Sequence, residues 1–144
     1  MYLPFFFQLL IAMLLGMLLG TERTLAHKTA GLRTYGLVSL GACLFVVIAQ
    51  AVMFNGMGIE GTDVMRVVAG IITGIGFLGA GVIILRDQTL VGLTTAAGLW
   101  VSSGIGVAVG FQLYTIAFFT TILTLLAFTI FWFVEKGVAS IGEK

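Results

Sequence analysis

Apolar residues run along this chain in five blocks of about 20, the length a helix needs to cross a bilayer, separated by short polar stretches. The blocks predict helices over Leu3–Gly20, Tyr35–Phe54, Val67–Leu85, Val91–Gly110 and Leu113–Val134. No polar stretch between them is long enough for a separate soluble domain. The expectation is one all-α polytopic domain over residues 1–136 and a short tail, 137–144. Pro4, the only proline, lies at the edge of the first block, so helix breakers other than glycine are nearly absent. The first block has no basic flank before it and no A-x-A site after it, which makes it a permanent helix rather than a cleaved signal. The fourth block, "VGLTTAAGLWVSSGIGVAVG", is the least apolar, and two re-entrant half-spans are the alternative to one crossing there.

Composition supports the bilayer as solvent. The chain is 60% hydrophobic and 9% charged, with a mean hydropathy of +1.18. Soluble domains carry about 45–50% apolar and about 25% charged residues. A soluble fold of this length could not hide so much apolar surface. The net charge of +1 supplies no basic patch to neutralise phosphates, which excludes nucleic acid as a partner. Cys43 is the single cysteine, so no intrachain disulfide or cysteine zinc site can form, and it reads as a small buried side chain.

Five crossings place loop 1, loop 3 and the tail on one side. That side carries Arg23, Lys28, Arg33, Arg86, Lys136 and Lys144, six of the seven basic residues, and loop 2 holds only Arg66 beside Glu60 and Asp63. Positive charge is retained on the cytoplasmic side, which sets the N-terminus outside and the C-terminus cytoplasmic. Tyr35 and Trp132 fit interfacial anchors on that same side.

The third block contains "GIGFLGAG", and Gly74-x-Gly76-x-x-Gly79 has the form of a dinucleotide-binding fingerprint. That fingerprint must follow a strand and open a helix. Here it lies inside a membrane span, where a phosphate-binding loop would leave N–H groups unpaired in hydrocarbon. Close helix packing is the better reading, because small residues let backbones approach. Gly16 and Gly20 lie four apart, as do Gly70 and Gly74. Gly98, Ser102, Gly106 and Gly110 form a stripe on one face, and Gly76, Gly79 and Gly81 add to the density. These faces pack on each other or on a second copy; a break in the third helix near Gly79–Gly81, lining a cavity, is the alternative.

Polar groups at membrane depth need partners. Thr94, Thr95, Ser102 and Ser103 lie in the fourth block, and each hydroxyl can return to a preceding carbonyl. Trp100 falls near mid-span, so its indole N–H wants an acceptor such as one of those hydroxyls. Thr94, Thr95, Trp100 and Ser102 are therefore the candidate polar lining. Glu22 follows the first block, where the helix dipole disfavours an anion, and a pairing with Arg23 or Arg33 is expected. Asp63, three residues before Arg66, caps the third helix or joins Glu60 in a weak cation site. His27 reads as an ordinary loop side chain. No catalytic constellation stands out and no cofactor is expected, so the chain is read as not an enzyme.

Three segments, "GTERTLAHKTAGLRTYGLVSLGA", "DVMRVVAGIITGIGFLGAGVII" and "GLTTAAGLWVSSGIG", together resemble the MgtC/SapB family of bacterial inner-membrane proteins. The match runs over most of residues 16–110. By position it includes Glu22, Arg23, Gly31, Arg33, Thr34, Asp63, Arg66, the glycines 74, 76, 79 and 81, Gly92 through Ala97, and Trp100. The resemblance implies five membrane helices with the N-terminus outside. It also implies a link to magnesium limitation and acid stress, and in some members restraint of the membrane ATP synthase. Longer members add a cytoplasmic regulatory domain after the last helix, where here "EKGVASIGEK" follows, so functions of that domain are not expected. The functional expectation is a membrane modulator in the bacterial inner membrane. It would act through helix contacts with itself, as a homo-oligomer, or with another membrane protein. Transport of Mg²⁺, H⁺ or a small solute is the alternative, with Glu22, Asp63 and the arginines at its mouths.

Overall fold

The structure, a computed structural model, describes residues 3–54, 61–86 and 88–142, and side chains over 5–53, 64–86 and 88–130. Five helices run α1 Leu3–Leu25, α2 Leu32–Phe54, α3 Gly61–Val82, α4 Leu93–Gly110 and α5 Tyr114–Gly142. A two-stranded antiparallel hairpin, β1 Ile84–Arg86 and β2 Thr89–Val91, joins α3 to α4. Phe5–Leu25, Leu32–Met53, Val64–Val82 and Leu93–Gly110 are long and apolar enough to cross a membrane; the part of α5 whose side chains are described, Tyr114–Ile130, is a shorter apolar helix.

Several helix boundaries differ from the expected ones. α1 continues past Gly20 to Leu25, so Glu22 and Arg23 sit in its last turn rather than in a loop. α5 continues to Gly142 rather than stopping at Val134. α3 runs unbroken over Gly61–Val82 and α4 over Leu93–Gly110, in keeping with the single-crossing reading and not with the alternatives of a break at Gly79–Gly81 or two half-spans. The backbone explains the first change. The N–H of Lys28 donates to the Arg23 carbonyl (2.9 Å) and that of His27 to the Thr24 carbonyl (3.1 Å), with His27 left-handed at φ 52°. This paired closure satisfies the last carbonyls of a helix. Gln112, at φ 63°, closes α4 the same way: Leu113 N–H donates to Ala108 (2.8 Å) and Gln112 N–H to Val109 (2.9 Å). Thr24 Oγ1 then ties the α1–α2 turn, donating to the Gly20 carbonyl (2.9 Å) and accepting from Leu32 N–H (3.0 Å).

The least apolar helix lies at the centre. α4 contacts α1, α2, α3 and α5, and half of its 18 residues are buried. In lipid, apolar surface gains nothing by hiding, and close approach of small residues drives association instead. Bulky side chains accordingly face outward, among them Phe7, Phe45, Phe77, Phe119 and Leu123. α3 is peripheral: 11% of its span is buried, against 56% for α4. The end of α1, the start of α2, the start of α4 and the later half of α5 meet at one end of the bundle, through the contacts described next.

Candidate functional site

Arg23 is the centre of that end. Its residue is 3% exposed, and the guanidinium carbon lies 3.8 Å from the centroid of the Phe128 ring on α5. Its Nε donates to Glu22 Oε2. A cation in the last turn is favoured by the helix dipole and an anion is not. Pairing with Arg23 offsets the unfavourable placement of Glu22. Arg33, the other expected partner, is exposed in the first turn of α2 and makes no such pair among the described residues.

Beneath Arg23, Tyr35 of α2 is fully buried. Its hydroxyl donates to the Thr95 carbonyl of α4 (3.2 Å), and its own carbonyl accepts from Ser102 Oγ (2.9 Å). Between these two bonds lies Gly98, where a Cβ would collide with the Tyr35 hydroxyl and come within 2.7 Å of Phe128 Cζ. About two turns further along α4, Gly106 presses on the Ser39 carbonyl, and beyond it Gly110 faces Val46. The stripe Gly98, Ser102, Gly106, Gly110 is thus an α4–α2 contact within the chain. α1 approaches the same stretch of α2, with Gly16 so placed that a Cβ would lie 2.6 Å from the Tyr35 carbonyl. Ser39, in contact with both α1 and α4 there, has no hydrogen-bond partner for its Oγ among the described residues.

The third helix behaves differently. Among the described residues, Gly70, Gly74, Gly76 and Gly81 have nothing within 4 Å of a Cβ position, and Gly79 meets only the Ala96 Cβ at 3.7 Å. Their spacing does not serve packing inside this chain. Gly70 and Gly74 instead line a 670 Å³ groove between α2 and α3, whose floor reaches Ser103 of α4 and whose mouth carries Arg33 and Thr34. Gly76 lies on the opposite, exposed face of α3 with Ala69, Thr73 and Ala80.

The candidate polar lining is not one surface. Thr95 and Ser102 are buried toward α2, whereas Thr94 is exposed and Trp100 is 53% exposed. Successive helical residues turn by about 100°, which separates these faces. No hydrogen bond joins the Trp100 indole to a hydroxyl among the described residues. Arg66 is exposed near the start of α3; the Asp63 side chain lies outside the described residues, as do Glu60, Asn55 and the side chain of Trp132. Among the described residues no group of three or more His, Cys, Asp or Glu could hold a metal ion.

Two residues escaped the sequence reading. Phe128 looked like any lipid-facing aromatic. Gln8, in "PFFFQLLIAM", is 1% exposed with Oε1 unpaired. A lone amide in so apolar a run was the available signal, since intramembrane polar groups are costly.

Comparison with known proteins gives a consistent picture. The chain is 36% identical over 129 residues to YhiD of Escherichia coli strain K12, which is provisionally named a magnesium transporter; the match covers 88% of this chain and 60% of that protein. It is 44% identical over 124 residues to Protein MgtC of Salmonella typhimurium strain LT2, covering 86% of this chain and 51% of that one. An uncharacterised protein of Haemophilus influenzae is 37% identical over 141 residues, with 95% and 59% covered. The chain therefore spans between half and three-fifths of the length of these relatives. No solved structure matches it. The family model for MgtC matches residues 9–136, the stretch that carries the Arg23 cluster, the α4 stripe and the open face of α3, and the chain belongs to the MgtC family.

Proposed function

We propose that this chain is a non-enzymatic module of the bacterial inner membrane that adjusts membrane physiology under magnesium limitation or acid stress. It acts through helix contacts with a second copy or another membrane protein. The observation that carries this reading is the division of labour among the small residues. The stripe Gly98, Ser102, Gly106 and Gly110 of α4 is used up against α2, at separations that leave no path between these helices. Those of α3 are left over. Ala69, Thr73, Gly76 and Ala80 recur at helical spacing on an exposed face, and the Thr73 hydroxyl is already satisfied by the Ala69 carbonyl (2.9 Å). Such a face admits a second helix backbone at close range.

Arg23, Glu22 and Phe128 have a positioning role in this reading: they lock α1 and α5 together at the cytoplasmic end and hold α3's neighbours in place. Transport is the second reading, favoured by the provisional name of YhiD. The test is cysteine crosslinking in native membranes. Gly76→Cys and Ala80→Cys are expected to crosslink to a copy or to another protein, whereas Ile116→Cys on the outer side of α5 is not. Bulky Gly76→Leu should abolish complementation of a low-magnesium growth defect without loss of protein from the membrane. Full complementation by Gly76→Leu would overturn the proposal.

A further inference from the structure

We infer that the groove between α2 and α3 holds one acyl chain of an anionic phospholipid, whose phosphate is bound at the first turn of α2. The inference concerns the opposite side of α3 from the proposed contact face and stands independently of that reading.

The mouth has the chemistry of a phosphate site. Arg33 and Thr34 both line it and both are exposed. The first backbone bond into α2 runs from Tyr35 N–H to the Gly31 carbonyl (3.1 Å), and Leu32 N–H is taken by Thr24 Oγ1. The N–H groups of Arg33 and Thr34 find no acceptor among the described residues. Unpaired N–H groups at the positive end of a helix, beside a guanidinium, form a ready anion site. Arginine suits a phosphate through its paired donors.

Below the mouth the lining turns apolar, with Leu37, Phe45, Val67 and Leu78 on the walls and Ser103 as the one polar side chain. The open glycines supply the width: Gly41, Gly70 and Gly74 each have empty space where a side chain would stand. The length selects the occupant. From Arg33 to Phe45 is about 18 Å at the rise of an α-helix. Half of a hydrocarbon core about 30 Å thick is about 15 Å, the reach of a lipid in one leaflet. A partner helix would need a groove along the whole span. A two-fold dimer seated here, its axis along the membrane normal, would also set two Arg33 side chains at the same depth, which repel. A lipid phosphate instead neutralises the one Arg33 and leaves the polar chemistry at the surface.

The experiment uses the full chain in nanodiscs of phosphatidylcholine containing a tracer lipid with a photoreactive diazirine on one acyl chain, as phosphatidylglycerol or as phosphatidylcholine. Labelled peptides are mapped by mass spectrometry. Phosphatidylglycerol should label residues 37–45 and 67–78 several-fold more than the phosphatidylcholine tracer does. Arg33→Gln should bring the two tracers level. Gly74→Leu, which fills open space and so should fold, should remove groove labelling with either tracer, and Leu123→Phe on the lipid face of α5 should leave the pattern unchanged. Equal labelling by both tracers in the wild type, or labelling spread evenly over the outer faces of α1 and α5, would overturn the inference. So would chain-to-chain crosslinking through Gly74→Cys that displaces the tracer, because a second copy would then occupy the groove.

Discussion

The guanidinium of Arg23 stacks on the ring of Phe128, and through this contact the end of the first helix is fastened to the last. Lipid offers a cation no solvation, so the ring face and the Glu22 carboxylate together replace its water. A cation–π contact out of water contributes about 2 kcal/mol, and Phe128→Leu should lower detergent stability by about 1–2 kcal/mol. Arg23→Gln removes the charge from both partners and should cost more, about 3 kcal/mol. Glu22→Gln should cost less, about 1 kcal/mol, since the carboxylate is partly exposed and screened. Thermal unfolding followed by loss of the monodisperse chromatographic peak checks the order. No loss for Phe128→Leu, with the losses for Arg23→Gln and Glu22→Gln unchanged, would show that the ring contributes nothing of its own.

Two glycines of one helix make opposite predictions. Gly106 abuts the Ser39 carbonyl, and backbone cannot move aside as a flexible side chain can. Gly104, two residues away, has nothing within 4 Å. Gly106→Ala should destabilise by about 2–3 kcal/mol through overpacking. Gly104→Ala should be neutral or stabilise by up to about 1 kcal/mol through helix propensity. The same unfolding measurement on both variants decides it, and the pair is informative because the chemistry of the change is identical.

His27 and Gln112 both hold left-handed backbone at the end of a helix, where side chains are strained. His27→Gly and Gln112→Gly should each stabilise by about 0.5–1 kcal/mol, the relief of strain exceeding the added freedom of the unfolded chain. The apparent unfolding temperature of each single variant should rise, and the two gains should add because the sites lie in different turns.

Much of the fold was legible in the lengths of the apolar blocks, because in lipid the backbone must satisfy itself and a helix is the available form. The α4 stripe was legible for the same reason that it packs: four-residue spacing of small groups. The identical signal in α3 could not say whether its neighbour belongs to this chain, since spacing fixes which face is small and not what meets it. The hairpin at Ile84–Val91 was hidden because its residues continue the apolar blocks on either side and lack a turn dipeptide such as Asn-Gly. The Arg23–Phe128 contact was hidden by distance along the chain. Phe128 carries no mark that separates it from Phe118 or Phe119, which face outward. Gly92 shows the reverse case. Its φ of +95° and its close approach to the Val82 carbonyl explain why a glycine opens α4, yet in sequence it was one glycine among 20.

In the proposed function, this bundle works through its outer faces rather than by passing a solute. The most direct measurement is flux in sealed liposomes containing the purified, folded protein, with a magnesium indicator inside one set and a proton indicator inside another. No flux above empty liposomes is expected in either set, for the wild type and for Glu22→Gln and Thr95→Val alike. Protein-dependent flux that is lost in those variants would contradict it and place a solute path beside Glu22 and Thr95.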